Sequence, residues 1–104
     1  MSETVTFVTC RDVRQARRIA RALVGERLAA CVNVVPGVSS IYRWKGEVEE
    51  AREALLLVKS TSARARLLEA RVKALHSYET PEVVTLKVAG GSADYLRWLR
   101  ENAR

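Results

Sequence analysis

The sequence contains little cysteine and little histidine, and each shortage excludes a class of protein. Its 104 residues include two cysteines, Cys10 and Cys31, and a single histidine, His76. Two cysteines without CxxC spacing exclude a disulfide-stapled scaffold and favour a reduced, cytoplasmic environment. One imidazole cannot build a zinc or copper site by itself, because such sites normally need three or four ligands.

Long apolar runs are also absent. The run at residues 54–58 (ALLLV) is far shorter than the ~20 residues that a membrane helix needs. The amino terminus, MSETVTFVTC, has no basic region followed by an apolar segment, so it does not predict a signal peptide. We therefore expect one cytoplasmic domain over residues 1–104 with no membrane partner.

The first part of the chain predicts a strand followed by a helix. Residues 4–9 (TVTFVT) alternate in polarity and are rich in β-branched side chains, which is typical of a strand. Asp12 and Gln15 form a candidate capping box, so a helix is expected to begin after Asp12. Gly25 is expected at the carboxyl-terminal cap of this helix.

The rest of the chain predicts a long hairpin, two helices and a last strand. Residues 28–44 and 49–60 are strand-like, with a turn at 45–47 and an interruption at Pro36–Gly37. The following elements are a helix capped by Thr61 or Ser62 and ending near Leu75, a strand at residues 83–89, and a helix capped by Ser92. This order, β-α-β-β-α-β with an added helix, predicts an α+β, ferredoxin-like domain.

The predicted hairpin is too long for its own domain to cover. An extended strand over residues 28–44 would reach roughly 55 Å, whereas a compact domain of this length is only about 35 Å across. The end of the hairpin carries Tyr42 and Trp44, so strand edges and aromatic surface would overhang. We therefore predict that another subunit covers the hairpin.

Positive charge predominates, with 18 Lys and Arg against 12 Asp and Glu and a net charge of +6. Such a field attracts anions without specifying any of them. Four arginines share one side of the first predicted helix: Arg14, Arg17, Arg18 and Arg21. We interpret them as a solvated face. Nucleic-acid binding through these arginines is the rival interpretation, but the aromatic platforms on which RNA-binding domains stack bases are not visible on the first and last strands.

The surroundings of His76 leave three interpretations open. In the segment KALHSYETPEVVTLKV, His76 lies where a helical pattern gives way to an extended one. It can end the helix by bonding the last carbonyl groups, serve as a metal ligand, or belong to a polar cleft with Tyr78 and Glu79. No HxxxH spacing supports the metal site, and no Ser-His-Asp, Cys-His-Asn or phosphate-loop pattern indicates an enzyme.

Two long segments resemble the CutA family of divalent-cation-tolerance proteins. They are ERLAACVNVVPGVSSIYRWKGEVE, from Glu26, and HSYETPEVV, from His76; the closing DYLRWL, from Asp94, fits as well. The resemblance covers essentially the whole chain. It implies a homotrimer of ferredoxin-like subunits, similar in architecture to PII-type signalling proteins, and a cytoplasmic, non-enzymatic role in heavy-metal and copper tolerance.

The resemblance also implies site residues in clefts between subunits. His76 and Cys31 would be metal ligands. The cleft or ligand residues would be Asn33, Tyr42, Trp44, Lys59, Tyr78, Glu79 and Glu82. The copper-binding members that this chain resembles carry a His-His pair followed by Pro-Tyr, and a cysteine in the first strand. In this chain Leu75 replaces the first histidine, Ser77 the proline and Val8 the cysteine. Weak binding of copper or another divalent cation is therefore expected. The alternative is a PII-like signalling module that binds an anionic small molecule, for which Lys59 is the motivation.

Overall fold

The computed structural model describes residues 2–104 as a four-stranded sheet with three α-helices. In chain order the elements are β1 (Glu3–Cys10), α1 (Val13–Gly25), β2 (Cys31–Trp44), β3 (Glu47–Thr61), α2 (Ala65–Leu75), β4 (Val84–Lys87) and α3 (Ala93–Asn102). Every pairing is antiparallel and the strand order is β2-β3-β1-β4. The predicted α+β class and element order are confirmed.

The start of α1 follows the predicted cap. The Asp12 carboxylate accepts a hydrogen bond of 2.8 Å from the backbone N–H of Gln15, which satisfies one of the free donors of the first turn. The side chain of Gln15 in turn accepts from the backbone N–H of Arg11 at 2.9 Å. The apolar face of the helix then turns inward and buries Ala16, Ile19, Ala20 and Leu23.

Several predicted boundaries are wrong. β2 begins at Cys31 and not at residue 28, and β3 begins at Glu47 and not at residue 49. Gly25 is the last residue of α1 and not its cap; the left-handed residue is Arg27, with φ 61°. The guanidinium of Arg27 donates to the carbonyl oxygen of Glu101 at 2.9 Å, so contacts with α3 hold this conformation in place of a glycine. No side chain caps α2, which a short 3₁₀ turn at Ser62–Arg64 introduces instead. β4 is only four residues long.

The core lies between one face of the sheet and helices α1 and α2. Its fully buried members include Val8, Cys10, Leu56 and Val58 from the sheet, and Ile19, Leu23, Leu68 and Val72 from the helices. On the opposite face of the sheet, Val84 and Leu86 of β4 are 49% and 51% exposed. The domain is therefore packed on one side of its sheet and carries accessible apolar surface on the other.

The β2–β3 hairpin is closed by a two-residue turn and bent in its middle. Lys45 and Gly46 both have left-handed backbones, with φ 50° and 85°, which matches the right-handed twist of the two strands. The register shifts between Val35 and Val38, where Gly37 has φ 69°. This bulge bends the hairpin, and its outer half stays exposed, with Ile41 at 71%. The longest dimension of the chain is 44 Å.

Within residues 2–104, none of the α-helices combines the length and the apolar character that a membrane span requires.

Candidate functional site

A large cleft lies between the hairpin and the segment that follows α2. Its volume is about 760 Å³. The end of β1, the outer part of the hairpin, the start of the buried part of β3 and residues 77–82 form its walls. The side chains that line it include Thr9, Tyr42, Trp44, Glu53, Tyr78, Glu79 and Glu82. The outer residues of the hairpin that line it, including Tyr42 and Trp44, follow the register shift between Val35 and Val38 in β2.

Glu53 and Tyr78 form the inner part of the cleft. Glu53 is 7% exposed, and its Oε2 accepts a hydrogen bond of 2.6 Å from the Tyr78 hydroxyl. Burial, followed by this bond to the carboxylate, raises the pKa of Tyr78, so its hydroxyl remains a donor throughout the neutral range. The carboxylate thus has a fixed neutral partner and faces the cavity.

His76 holds the loop after α2 in place. Its Nε2 lies 2.8 Å from the carbonyl oxygen of Thr9, which can only accept, so Nε2 carries the proton. The other ring nitrogen, Nδ1, then accepts from the backbone N–H of Tyr78 at 3.1 Å. The two rings are in contact, with centroids 4.5 Å apart. His76 therefore positions Tyr78, and through it the hydrogen bond to Glu53.

A second buried contact anchors the same loop to α1. Gln15 is 1% exposed, and its Nε2 donates to the Ser77 hydroxyl at 2.7 Å. Because Gln15 also completes the cap of α1, the start of that helix and the cleft loop share one side chain. His76 and Gln15 thus attach the loop to β1 and to α1.

The helix-ending interpretation of His76 applies to its backbone only. His76 follows the last residue of α2, and its backbone N–H donates to the carbonyl oxygen of Val72 at 2.9 Å. The imidazole bonds β1 and not the last carbonyl groups of the helix. The sequence could not indicate this, since Thr9 is 67 residues away.

Lys45 lies at the rim of the cleft. Its ammonium group is 5.5 Å from the centre of the Trp44 ring and 3.9 Å from a carboxylate oxygen of Glu79. The first distance is within the range of a cation–π contact. The hairpin turn thus places a cation between an aromatic wall and an acidic wall.

The walls of the cleft are acidic. Glu53, Glu79 and Glu82 contribute carboxylates, and no lysine or arginine is among the described residues that line it. Glu82 accepts a long hydrogen bond of 3.4 Å from the Thr9 hydroxyl. Although the protein has a net charge of +6, the lining of the cleft carries three carboxylates, of which Glu79 is paired with Lys45 at the rim; the remaining negative charge favours cations over anions.

The structure gathers five of the seven predicted cleft residues in this one cavity: Tyr42, Trp44, Tyr78, Glu79 and Glu82. The other two lie elsewhere in the chain, where the Lys59 ammonium donates to the Asn33 side-chain oxygen. The prediction did not include Glu53, although an acidic residue directly before the apolar run at 54–58 is a signal that could have identified it.

The two predicted metal ligands are not adjacent within one chain. Cys31 pairs with Lys59, which in turn pairs with Val5, whereas His76 bonds Thr9. Val5 and Thr9 are separated by about 13 Å along β1. Residues 2–104 contain no group of three or more His, Cys, Asp or Glu side chains placed to hold a metal ion.

The arginines of α1 form an exposed face. Arg14, Arg17, Arg18 and Arg21 all lie on its outer side, and in the described part of the chain none of them takes part in an ion pair. This agrees with the interpretation of a solvated surface.

Comparison with known proteins gives consistent matches over the chain. Residues 4–102 match the family described as CutA1 divalent ion tolerance protein. Over 100 residues, the sequence is 58% identical to the divalent-cation tolerance protein CutA of Thermus thermophilus, covering 96% of this chain and 97% of that protein. It is 45% identical to protein CutA of Homo sapiens over 100 residues, which make up 56% of the human protein. The solved structure of the Thermus thermophilus protein superposes with a TM-score of 0.96 at 57% identity, covering 98% of this chain and 99% of that chain.

Proposed function

Since this chain belongs to the CutA1 divalent ion tolerance family, as its motifs predicted, we propose that it acts in divalent-cation tolerance as a binding protein and not as an enzyme. The observation that carries the proposal is the acidic cleft. Three carboxylates, from Glu53, Glu79 and Glu82, line one cavity without a lysine or arginine among its described lining residues. Such a cavity concentrates cations from solution.

The candidate metal is copper or another divalent cation, bound weakly, with His76 as one ligand. A metal can reach Nδ1 of His76 only by displacing its hydrogen bond from the backbone of Tyr78, which lowers the affinity. Cys31 would complete such a site only as a residue of another subunit, because it is remote from His76 within one chain. One chain supplies few ligands, and the metal must break a hydrogen bond of His76 before it can bind. Both facts favour weak binding.

Titration with Cu²⁺ of the wild-type chain, His76→Ala and Cys31→Ser, followed by calorimetry, tests this proposal. We expect weaker binding in both variants. Circular dichroism must first show that the variants are folded, because His76 makes two hydrogen bonds in the native chain. Equal affinity in all three proteins would remove these residues from any metal site.

We further propose that the chain assembles into a homotrimer of PII-like architecture and acts in the cytoplasm. Exposed apolar side chains on the uncovered face of the sheet and on the outer hairpin support assembly. The two free cysteines, Cys10 and Cys31, are compatible with a reducing compartment. Sedimentation at micromolar concentration and fractionation of the expressing cell are the respective tests.

The signalling alternative, in which the cleft binds an anionic small molecule, has less support. The walls of the cleft carry three carboxylates, and Lys59, the residue that motivated this alternative, is engaged with Asn33 outside it. A thermal-shift screen with nucleotides and phosphorylated metabolites would distinguish the two functions. Stabilisation by any of them at millimolar concentration would favour the signalling module.

A further inference from the structure

The Glu53 carboxylate is buried without a cation. It is 7% exposed, it forms no ion pair with the described residues, and its hydrogen-bond partner is the neutral hydroxyl of Tyr78. A buried charge is costly unless an opposite charge compensates it. Since this carboxylate also lines the cleft of about 760 Å³, a positively charged ligand there would supply the missing partner.

The other walls indicate what kind of cation fits. Tyr42, Trp44 and Tyr78 present aromatic surface to the same cavity. Aromatic faces attract organic cations through their π electrons and also pack against alkyl groups. A hydrated metal ion would use the carboxylates but gain little from these three rings. A cavity of about 760 Å³ is also far larger than a single metal ion requires.

The chain itself already places an ammonium group at this site. Lys45 lies 5.5 Å from the centre of the Trp44 ring and 3.9 Å from the Glu79 carboxylate. Its side chain is 70% exposed, so it occupies the rim and leaves the inner part, with Glu53, accessible. The contacts of Lys45 at the rim, with an aromatic ring and a carboxylate, are of the same kind that the inner part of the cleft can offer to a free ammonium ligand.

From these three observations we infer that the cleft binds a small organic ammonium ion. Its charged group pairs with Glu53, and its alkyl part packs against Tyr42 and Trp44. A second ammonium group on the same ligand pairs with Glu79 or Glu82 nearer the rim. This site needs no metal ion and therefore goes beyond the role in divalent-cation tolerance.

Calorimetric titration of the full chain, treated with a chelator and freed of divalent metal, is the test. The probes are diaminobutane, butylamine and butanol, which have similar carbon chains and carry two, one and no positive charges at neutral pH. We expect diaminobutane to bind more tightly than butylamine, by about tenfold if the second charge gains ~1.4 kcal/mol, and butanol not to bind. Potassium chloride, at the ionic strength of the diaminobutane solution, must not displace the diamine completely.

Two variants on the cleft and one matched control locate the site. Glu53→Gln keeps the shape of the side chain and is expected to weaken diaminobutane binding about tenfold. Lys45→Asn removes the competing ammonium at the rim, and since asparagine tolerates the left-handed backbone at this turn, binding should tighten about threefold. Glu101→Gln removes the same charge from exposed α3, outside the cleft, and should leave the affinity unchanged.

Three results would overturn the inference. One is the absence of heat with either amine at millimolar concentration in the wild-type chain and in Lys45→Asn. Another is equal binding of butanol and diaminobutane, which would indicate an apolar pocket only. The third combines two results: the wild type binds no amine, and Glu53→Gln sediments differently from the wild type. The cation that pairs with Glu53 would then be a side chain of a second copy of the chain. The Cu²⁺ titrations are scored separately, so either proposal can fail alone.

Discussion

The hydroxyl of Tyr78 donates a hydrogen bond of 2.6 Å to the carboxylate of Glu53, across 25 residues of sequence. This bond joins the loop after α2 to β3, the long strand of the hairpin. It satisfies a buried carboxylate, so its removal leaves a charged acceptor with less compensation than before. The geometry of the cleft and part of the stability of the fold therefore depend on the same pair.

Replacement of Tyr78 by phenylalanine should lower the free energy of unfolding by about 1–3 kcal/mol, since a buried acceptor loses its donor. Denaturant unfolding of the wild type, Tyr78→Phe, Glu53→Ala and the double variant gives the coupling between the two residues, because each single substitution removes the bond. Glu101→Gln, at an exposed position of α3, is the control and should change stability by less than about 0.5 kcal/mol. Additive effects of the two cleft substitutions would contradict the role of this bond.

The thiol of Cys10 makes the free energy of unfolding depend on pH in the alkaline range. Burial, with a smaller contribution from the nearby Glu53 carboxylate, raises the pKa of the thiol from 9.0 to about 12. The folded chain therefore keeps this proton where the unfolded chain releases it. The contribution is fully present below pH 9 and is lost as the pH rises toward 12.

Cys10→Ala should remove this dependence. Between pH 9 and 12, the free energy of unfolding of the wild type is expected to fall more steeply than that of the variant, by up to about 1.4 kcal/mol per pH unit. Cys31→Ala is the matched control, because Cys31 is half-buried in β2 on the face of the sheet opposite Cys10. This variant should retain the steep slope. Parallel curves for the wild type and Cys10→Ala would show that the thiol does not titrate differently in the two states.

The sequence predicted the element order because each element has a local signal. Alternation identified β1, and the Asp12 cap with its apolar face identified α1. The resemblance supplied most of the cleft residues. Such signals act over a few residues, which explains why the element order was predicted better than the boundaries.

The remaining features depend on contacts between distant residues. The left-handed conformation of Arg27 is held by α3, whose sequence position gives no hint of it. Glu53 belongs to the cleft through its hydrogen bond to Tyr78, which is 25 residues away in the sequence. Lys59 and Asn33 were placed in the same cleft by resemblance to an assembly, whereas in one chain they bond each other. Register and bending of strands are set by tertiary packing, so the sequence pattern did not determine them.

The bend at Gly37 can be tested directly. Gly37 has φ 69°, and a Cβ there would meet the Arg52 guanidinium at 3.3 Å. Gly37→Ala should therefore cost about 1–2 kcal/mol of unfolding free energy, because an L side chain disfavours this conformation. It should also weaken diaminobutane binding, since the bend carries Tyr42 and Trp44 to the cleft. Gly90→Ala is the control, because a Cβ at Gly90 has no neighbour within 4 Å. It should change neither the free energy of unfolding nor the affinity for diaminobutane. An unaltered affinity in Gly37→Ala would separate the bend from the cleft.

The accessible face of the sheet predicts where subunits meet. Leu86 of β4 pairs with Val5 of β1, on the face opposite the helices, and is 51% exposed. Leu67 of α2 is exposed to a similar extent, 56%, but lies on the outer side of the helix layer. If the proposed trimer forms through the sheet face, Leu86→Glu introduces a charge at its interface, whereas Leu67→Glu only alters a solvated surface. Sedimentation velocity should therefore show a single-chain species for Leu86→Glu and a trimer for the wild type and Leu67→Glu. A trimer that survives Leu86→Glu but not Leu67→Glu would place the interface on the helices, and a wild type that sediments as a single chain would exclude the trimer altogether.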